Sequence, residues 1–328
     1  MIKMLNPGDL VSLPHTTDLV RASMDSVWRT LPYRQLGSGN QQQVNLQQMI
    51  VDQMCEFSLR RYLSEKGIPH HIQQVNLFPG PDQYQIRLGG RNCFIRGALI
   101  MQGSRDERIK KQPDPLLTSC VYVPKSFFAS EFIRENDPLI FLFILGYLAV
   151  TPREIQHALA ARQPVALCHI FPDAWIHPKK WVSLCPVEIV NQTRHAATFE
   201  AGGQMEDLRF ESERIALEPE AKAQFTLDFF SLAYLQTSFQ VDKPVGVTRR
   251  GWRKNYWISP HQWHNLWIYG IDIRLAGFLT CDEFRRRAIP ANATGKAHAG
   301  LSIPTNCLAL PVLELHPFSQ LGSLANYR

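Results

Sequence analysis

The chain lacks the short signatures that identify most catalytic sites. There is no Gly-x-Ser-x-Gly and no Gly-x-x-x-x-Gly-Lys, which excludes the serine-hydrolase elbow and the phosphate-binding loop. None of the seven cysteines forms a Cys-x-x-Cys pair. They are odd in number, scattered, and set in apolar runs such as Ala166-Leu167-Cys168. That excludes a secreted disulfide framework and predicts free thiols in a reducing compartment. Zinc at Cys168, His169, His177 and Cys185 fails because neighbouring strand residues point to opposite faces. His261-x-x-His264 has no third ligand nearby, so no metal and no cofactor is expected. Long apolar runs are also missing. The longest, Leu139 to Val150, falls well short of the roughly 20 residues a membrane helix needs. The first twenty residues carry no apolar core of signal-peptide length. The expectation is a soluble, cytoplasmic protein without membrane contact.

What is present suffices for a core. With 328 residues, 45% of them hydrophobic and 20% charged, the chain has length for about two domains. A net charge of +6 and a pI near 9.0 favour acidic partners, nucleic acid foremost.

Residues 1–43 read as an N-terminal arm with a helix near Leu19 to Leu31 and a linker, Leu36 to Gln43. Residues 44–170 read as an α/β unit. Leu46, Met49, Ile50, Met54 and Phe57 mark a helix over Val44 to Lys66, stopped by Gly67. Tyr84, Ile86 and Leu88 alternate with polar residues, Gly89-Gly90 turns, and Arg91 to Met101 returns as a hairpin. Ser119 to Val123 and Leu139 to Val150 are strands, and Thr151-Pro152-Arg153-Glu154 is a capping box. Residues 171–328 read as a second α/β unit. Gly277-Phe-Leu279, Thr280-x-x-Glu283 and the strand Cys307 to Leu313 follow the order of Gly146-Tyr-Leu148, Thr151-x-x-Glu154 and Val165 to Ile170. Either an internal duplication or the general likeness of capped β-α units accounts for this. Between them, Ala196 to Leu217 predicts strands turning at Gly202-Gly203, and Pro219 to Gln236 predicts a helix. The fold class is therefore mixed α/β, two similar small α+β units behind an arm.

The segment 51–100 resembles the PD-(D/E)XK nuclease superfamily in layout. A helix bearing Glu56 precedes a hairpin, as in the restriction-endonuclease-like core. The resemblance implies a strand acid at Asp82 or Gln85 and a Glu-x-Lys at Phe94 and Arg96. Phenylalanine cannot bind a metal and arginine stays protonated, so the resemblance implies a lost metal site and no enzyme activity. A helix packed on an ordinary hairpin, with Glu56 solvated, is the bland alternative.

Cationic residues supply the other candidates. Arg249, Arg250, Trp252, Arg253 and Lys254 stand together before Trp257, Trp263 and Trp267. Cations neutralise phosphates and exposed indoles stack on unpaired bases, although Trp263 and Trp267 suit a core better. Arg105, Arg108, Lys110 and Lys111 form a second cluster on a predicted loop, where four cations can converge on a phosphate. Arg285-Arg286-Arg287, on a predicted helix, spread around its axis. The reading that follows is a non-catalytic scaffold or binding subunit that contacts DNA or RNA. Its alternatives are an assembly factor that binds other protein subunits, and a metal-dependent nuclease with an unplaced acid beside Glu56 and Asp82.

Overall fold

The computed structural model describes residues 5–34, 40–75, 83–101, 114–129, 132–291 and 306–321. The chain is mixed α/β. Its contacts form two compact units: residues 1–23, 47–147 and 269–328, then residues 24–46 and 148–268. Each is discontinuous in sequence, and the grouping cuts across boundaries at 43/44 and 170/171.

The first unit opens with β1 (Val11–Leu13), and α1 (Leu19–Thr30) carries the chain out of it. Helix α2 (Asn40–Glu65) brings it back. Leu46, Ile50, Val51, Met54, Cys55, Leu59 and Leu63 are all buried, a stripe at helical spacing. The helix ends in a Schellman turn. Gly67 has φ +62, its N–H donates to Ser64 O at 3.1 Å, and Ile68 N–H donates to Leu63 O at 2.9 Å.

Next come β2 (His71–Val75), β3 (Gln83–Leu88) and β4 (Arg91–Asn92), a small antiparallel sheet. Gly89 and Gly90 both take positive φ, as a tight hairpin turn requires. The expected return strand is split. Arg91 and Asn92 pair back onto β3 and Cys93 N–H donates to Ile86 O at 2.8 Å, while β5 (Phe94–Met101) runs parallel to β7 (Pro138–Leu148) in another sheet. Phe94, Ala98 and Ile100 pack on one apolar cluster and Gly97 faces α2. A strand covered on both faces pairs into a larger sheet rather than closing a hairpin.

A parallel pair needs a crossover, and α3 (Asp114–Leu117) and β6 (Cys120–Pro124) lie on it. Strand β7 is buried from Pro138 through Gly146, which explains its unbroken apolar run. After the second unit the chain returns through β17 (Ile268–Thr280), α6 (Cys281–Arg287), β18 (Ile289–Pro290) and β19 (Cys307–Pro311). The main sheet has the order β1-β17-β7-β5, and a smaller one the order β18-β19-β6.

After residues 24–46, the second unit continues with α4 (Pro152–Ala160), then β8 (Leu167–Ile170) and α5 (Asp173–Ile176). Strands β9 (Glu188–Asn191), β10 (Ala197–Gln204), β11 (Phe210–Leu217), β12 (Lys222–Gln224), β13 (Tyr234–Thr237), β14 (Val245–Thr248), β15 (Tyr256–Ile258) and β16 (His264–Asn265) follow. They form two antiparallel sheets, β11-β10-β13-β8-β16 and β12-β9-β14-β15.

Two local expectations need correction. Gly202 and Gly203 sit inside β10, paired with Ser212 and Glu211 of β11, and a Cβ at Gly203 would lie 1.9 Å from Ser231 O; the turn falls after Gln204. Residues 219–236 are not a helix. Phe229 through Leu235 are buried without interruption, and a surface helix cannot hide seven consecutive side chains. The two similar halves also do not fold apart: β8 pairs with β16, and β6 pairs with β19, so each half supplies a partner strand to the other.

Candidate functional site

Of the nuclease-like positions, Phe94 and Arg96 lie on β5, the last strand of its sheet, and Glu56 on the helix α2 that packs along it. An edge strand presents unpaired backbone groups, and α2 covers them at Gly97. Asp52 Oδ1 accepts from Gly97 N–H at 2.9 Å, and Gln48 Nε2 donates to Gly97 O at 2.8 Å. Gln48 also donates to Asp52 Oδ1 at 3.0 Å. A carboxylate and a carboxamide thus replace a neighbouring strand for one residue. A Cβ on Gly97 would lie 2.7 Å from Cys55 Sγ and 2.9 Å from Val51 Cγ1, so only glycine allows this approach.

Arg96 projects beside that contact. Its guanidinium lies 3.9 Å from Asp52 and 4.5 Å from the ring centre of Phe127. Phe94 packs edge-on against the same ring, with centres 5.1 Å apart. Glu56 stands one helical turn beyond Asp52 and pairs with Arg60, while Gln53 donates to it at 3.2 Å. Burial raises its carboxyl above the ordinary value; Arg60 and Gln53 oppose this, and Asp52 adds to it. Gln85 sits on β3, opposite Gln73 in the smaller sheet. Asp82 lies outside the described residues, as do Arg105, Arg108, Lys110 and Lys111.

The helix carboxylate beside Arg96 is therefore Asp52, where the sequence pattern pointed to Glu56. Its only sequence signal is a charge at the margin of the apolar stripe of α2. Among the described residues, no three His, Cys, Asp or Glu side chains are grouped to hold a metal ion. No helix among them is long and apolar enough to cross a membrane.

The second cluster gathers on the β14–β15 hairpin. Trp252 N–H donates to Arg249 O at 3.0 Å, and Gly251 between them has φ +80. These are the marks of a type II turn, which needs glycine at its third position. The turn folds Trp252 back over Arg249, whose guanidinium carbon lies 4.8 Å from that ring centre and 5.3 Å from that of Trp175. Burial against the two rings draws Arg249 below its ordinary range, and its Nε has no hydrogen-bond partner. Arg250, Arg253 and Lys254 are exposed around the turn.

The root of the hairpin is fastened by aromatic packing. Trp175 meets Trp252 edge-on at 5.0 Å and stacks on Phe171 at 4.8 Å. Tyr256 lies 5.5 Å from Trp175. Its hydroxyl donates to His169 Nε2 at 3.3 Å, because His169 Nδ1–H is committed to Gln262 O at 3.3 Å. Burial lowers the pKa of His169 to about 4, which keeps it in this neutral tautomer. Trp263 is buried, as expected of a core indole.

Trp257 alternates to the other face of β15 and stays 42% exposed. It pairs across the strands with Gly246, where a Cβ would lie 2.8 Å from Cζ3 of the indole. The glycine lets the indole lie against the sheet. One hairpin therefore carries four cations and two exposed indoles. By contrast, the arginine triplet is tied down: Arg286 pairs with Asp282, Arg287 with Glu314, and Arg285 covers Phe128.

Comparison with protein-family models, curated proteins and solved structures finds no match.

Proposed function

We propose that this protein is a non-catalytic, nucleic-acid-associated binding or scaffold subunit built on a degenerate nuclease-like α/β unit. The observation that carries the reading is the β14–β15 hairpin. Arg249, Arg250, Arg253 and Lys254 surround the exposed Trp252 there, a surface chemistry suited to phosphates and base faces. At the nuclease-like positions, Phe94 offers no ligand atom and Arg96 no base. Asp52, the acid beside Arg96, bonds to backbone at Gly97. This favours a scaffold role for the helix–strand contact.

Measuring DNA and RNA binding by the full chain across a salt series tests the proposal. Binding that weakens steadily with salt is the expected result. No binding at low salt overturns it. Two rivals have their own readouts. Phe132 is 82% exposed, which favours a protein-binding assembly factor, and a partner that co-purifies free of nucleic acid supports that role. Magnesium-dependent cleavage that disappears in Glu56→Ala would establish an active nuclease instead.

A further inference from the structure

We infer that the β14–β15 hairpin takes unpaired rather than duplex nucleic acid, with Trp257 as the surface on which a base stacks. The inference rests on the nucleic-acid reading of the hairpin and extends it to the strand state of the ligand.

Three features of Trp257 carry it. The indole stands opposite Gly246 in register, held against the sheet because that position has no Cβ. Glycine inside a strand weakens it, so this seat has a structural cost. The indole keeps 42% of its surface open, so it is only partly used for packing. Finally, it stands on the same hairpin as Arg250, Arg253 and Lys254, all exposed. Cations alone bind single strands and duplexes alike. An immobilised aromatic face discriminates, because bases inside a duplex already stack on their neighbours and unpaired bases do not.

Trp252 has a different part. Its ring is engaged by Arg249 and by the edge contact with Trp175, so it positions the cation at the turn. Trp257 has no such partner ring among the aromatic pairs of the hairpin. Its environment is the sheet surface, where Val190 follows Gly246 across the strands and Lys222 follows Val190. The row ends on Lys222, whose ammonium is paired with Glu188 at 3.7 Å, so the cations left to meet the phosphates are Arg250, Arg253 and Lys254 at the turn.

A rival account is that the indole only fills the gap over Gly246. Leucine also covers a glycine but offers no aromatic face, so Trp257→Leu separates the accounts. Fluorescence anisotropy with a labelled mixed-sequence oligonucleotide, alone and annealed to its complement, is the measurement. The full chain should prefer the single strand. Trp257→Leu should lose roughly tenfold or more for the single strand, in line with the stacking worth of one base. Its affinity for the duplex should not change. Trp257→Phe, which keeps an aromatic face, should stay close to the parent. Unfolding midpoints of the three proteins show whether any loss is one of folding. Equal binding of both strand states, or a folded Trp257→Leu with full single-strand affinity, overturns the stacking role and leaves the charge-based reading standing. Absence of binding to either oligonucleotide overturns both.

Discussion

Gly97 decides more than any charged residue near the nuclease-like positions. It lets α2 approach the edge of β5 closely enough for Asp52 and Gln48 to bond its backbone. Gly97→Ala forces a methyl to within 2.7 Å of Cys55 Sγ and 2.9 Å of Val51 Cγ1. It should destabilise the protein by about 1–3 kcal/mol, the usual cost of overpacking, read as a lower urea midpoint. His169 gives a pH signature. The unfolded chain takes up its proton near 6.5, the folded chain only near 4, because burial disfavours the imidazolium. The unfolded state binds the extra proton between these values, so stability is complete above about pH 6.5 and falls as pH drops toward 4. The fall should reach about 3 kcal/mol, and His169→Gln should flatten it in urea titrations across that window. At this scale the sequence was legible in part. The chemistry of Phe94 and Arg96 follows from their side chains alone. The role of Asp52 does not, since its partner is a peptide group 45 residues away and nothing local reveals which strand edge a helix will cover.

Elements were read best where their ends carry their own chemistry. Both capping boxes formed. Thr151 Oγ1 accepts from Glu154 N–H, and Thr280 Oγ1 accepts from Glu283 N–H, each at 3.2 Å, while each glutamate reaches back to the threonine N–H. Burial would raise Glu283, but the Thr280 N–H and His316 outweigh it and hold its carboxyl below the ordinary value. Its contribution to stability is therefore present above the unfolded pKa and is lost as pH falls through the folded one. Thr280→Ala should cost about 1 kcal/mol, seen as a lower thermal midpoint. The same reasoning failed over 219–236. Its phenylalanines and leucines suggested a helical face, but the segment joins β12 of one sheet to β13 of the other and is buried all round at Phe229 through Leu235. Periodicity cannot distinguish that from a helix. The hairpin tip was legible as composition, Arg-Arg-Gly-Trp, and its conformation follows from the glycine. Trp257 was not, because its exposure depends on Gly246 in another strand.

For the molecule as a whole, strand pairing across long separations decides the architecture. Strand β19 lies against β6, and β1 against β17, so the first compact unit is not one stretch of sequence. A linear reading finds elements in order but has no access to which of them pair, and so it drew contiguous domains. The nucleic-acid reading is also a statement about the whole molecule, since it assigns binding to cations gathered on one hairpin of the second unit. The salt dependence of binding tests it most directly. The logarithm of the full chain's single-strand affinity should fall linearly with the logarithm of salt concentration. Replacing Arg253 and Lys254 by alanine should reduce that slope by roughly 1.4, about 0.7 for each phosphate that is no longer neutralised. An unchanged slope, or no binding by the unaltered chain at low salt, would contradict the account.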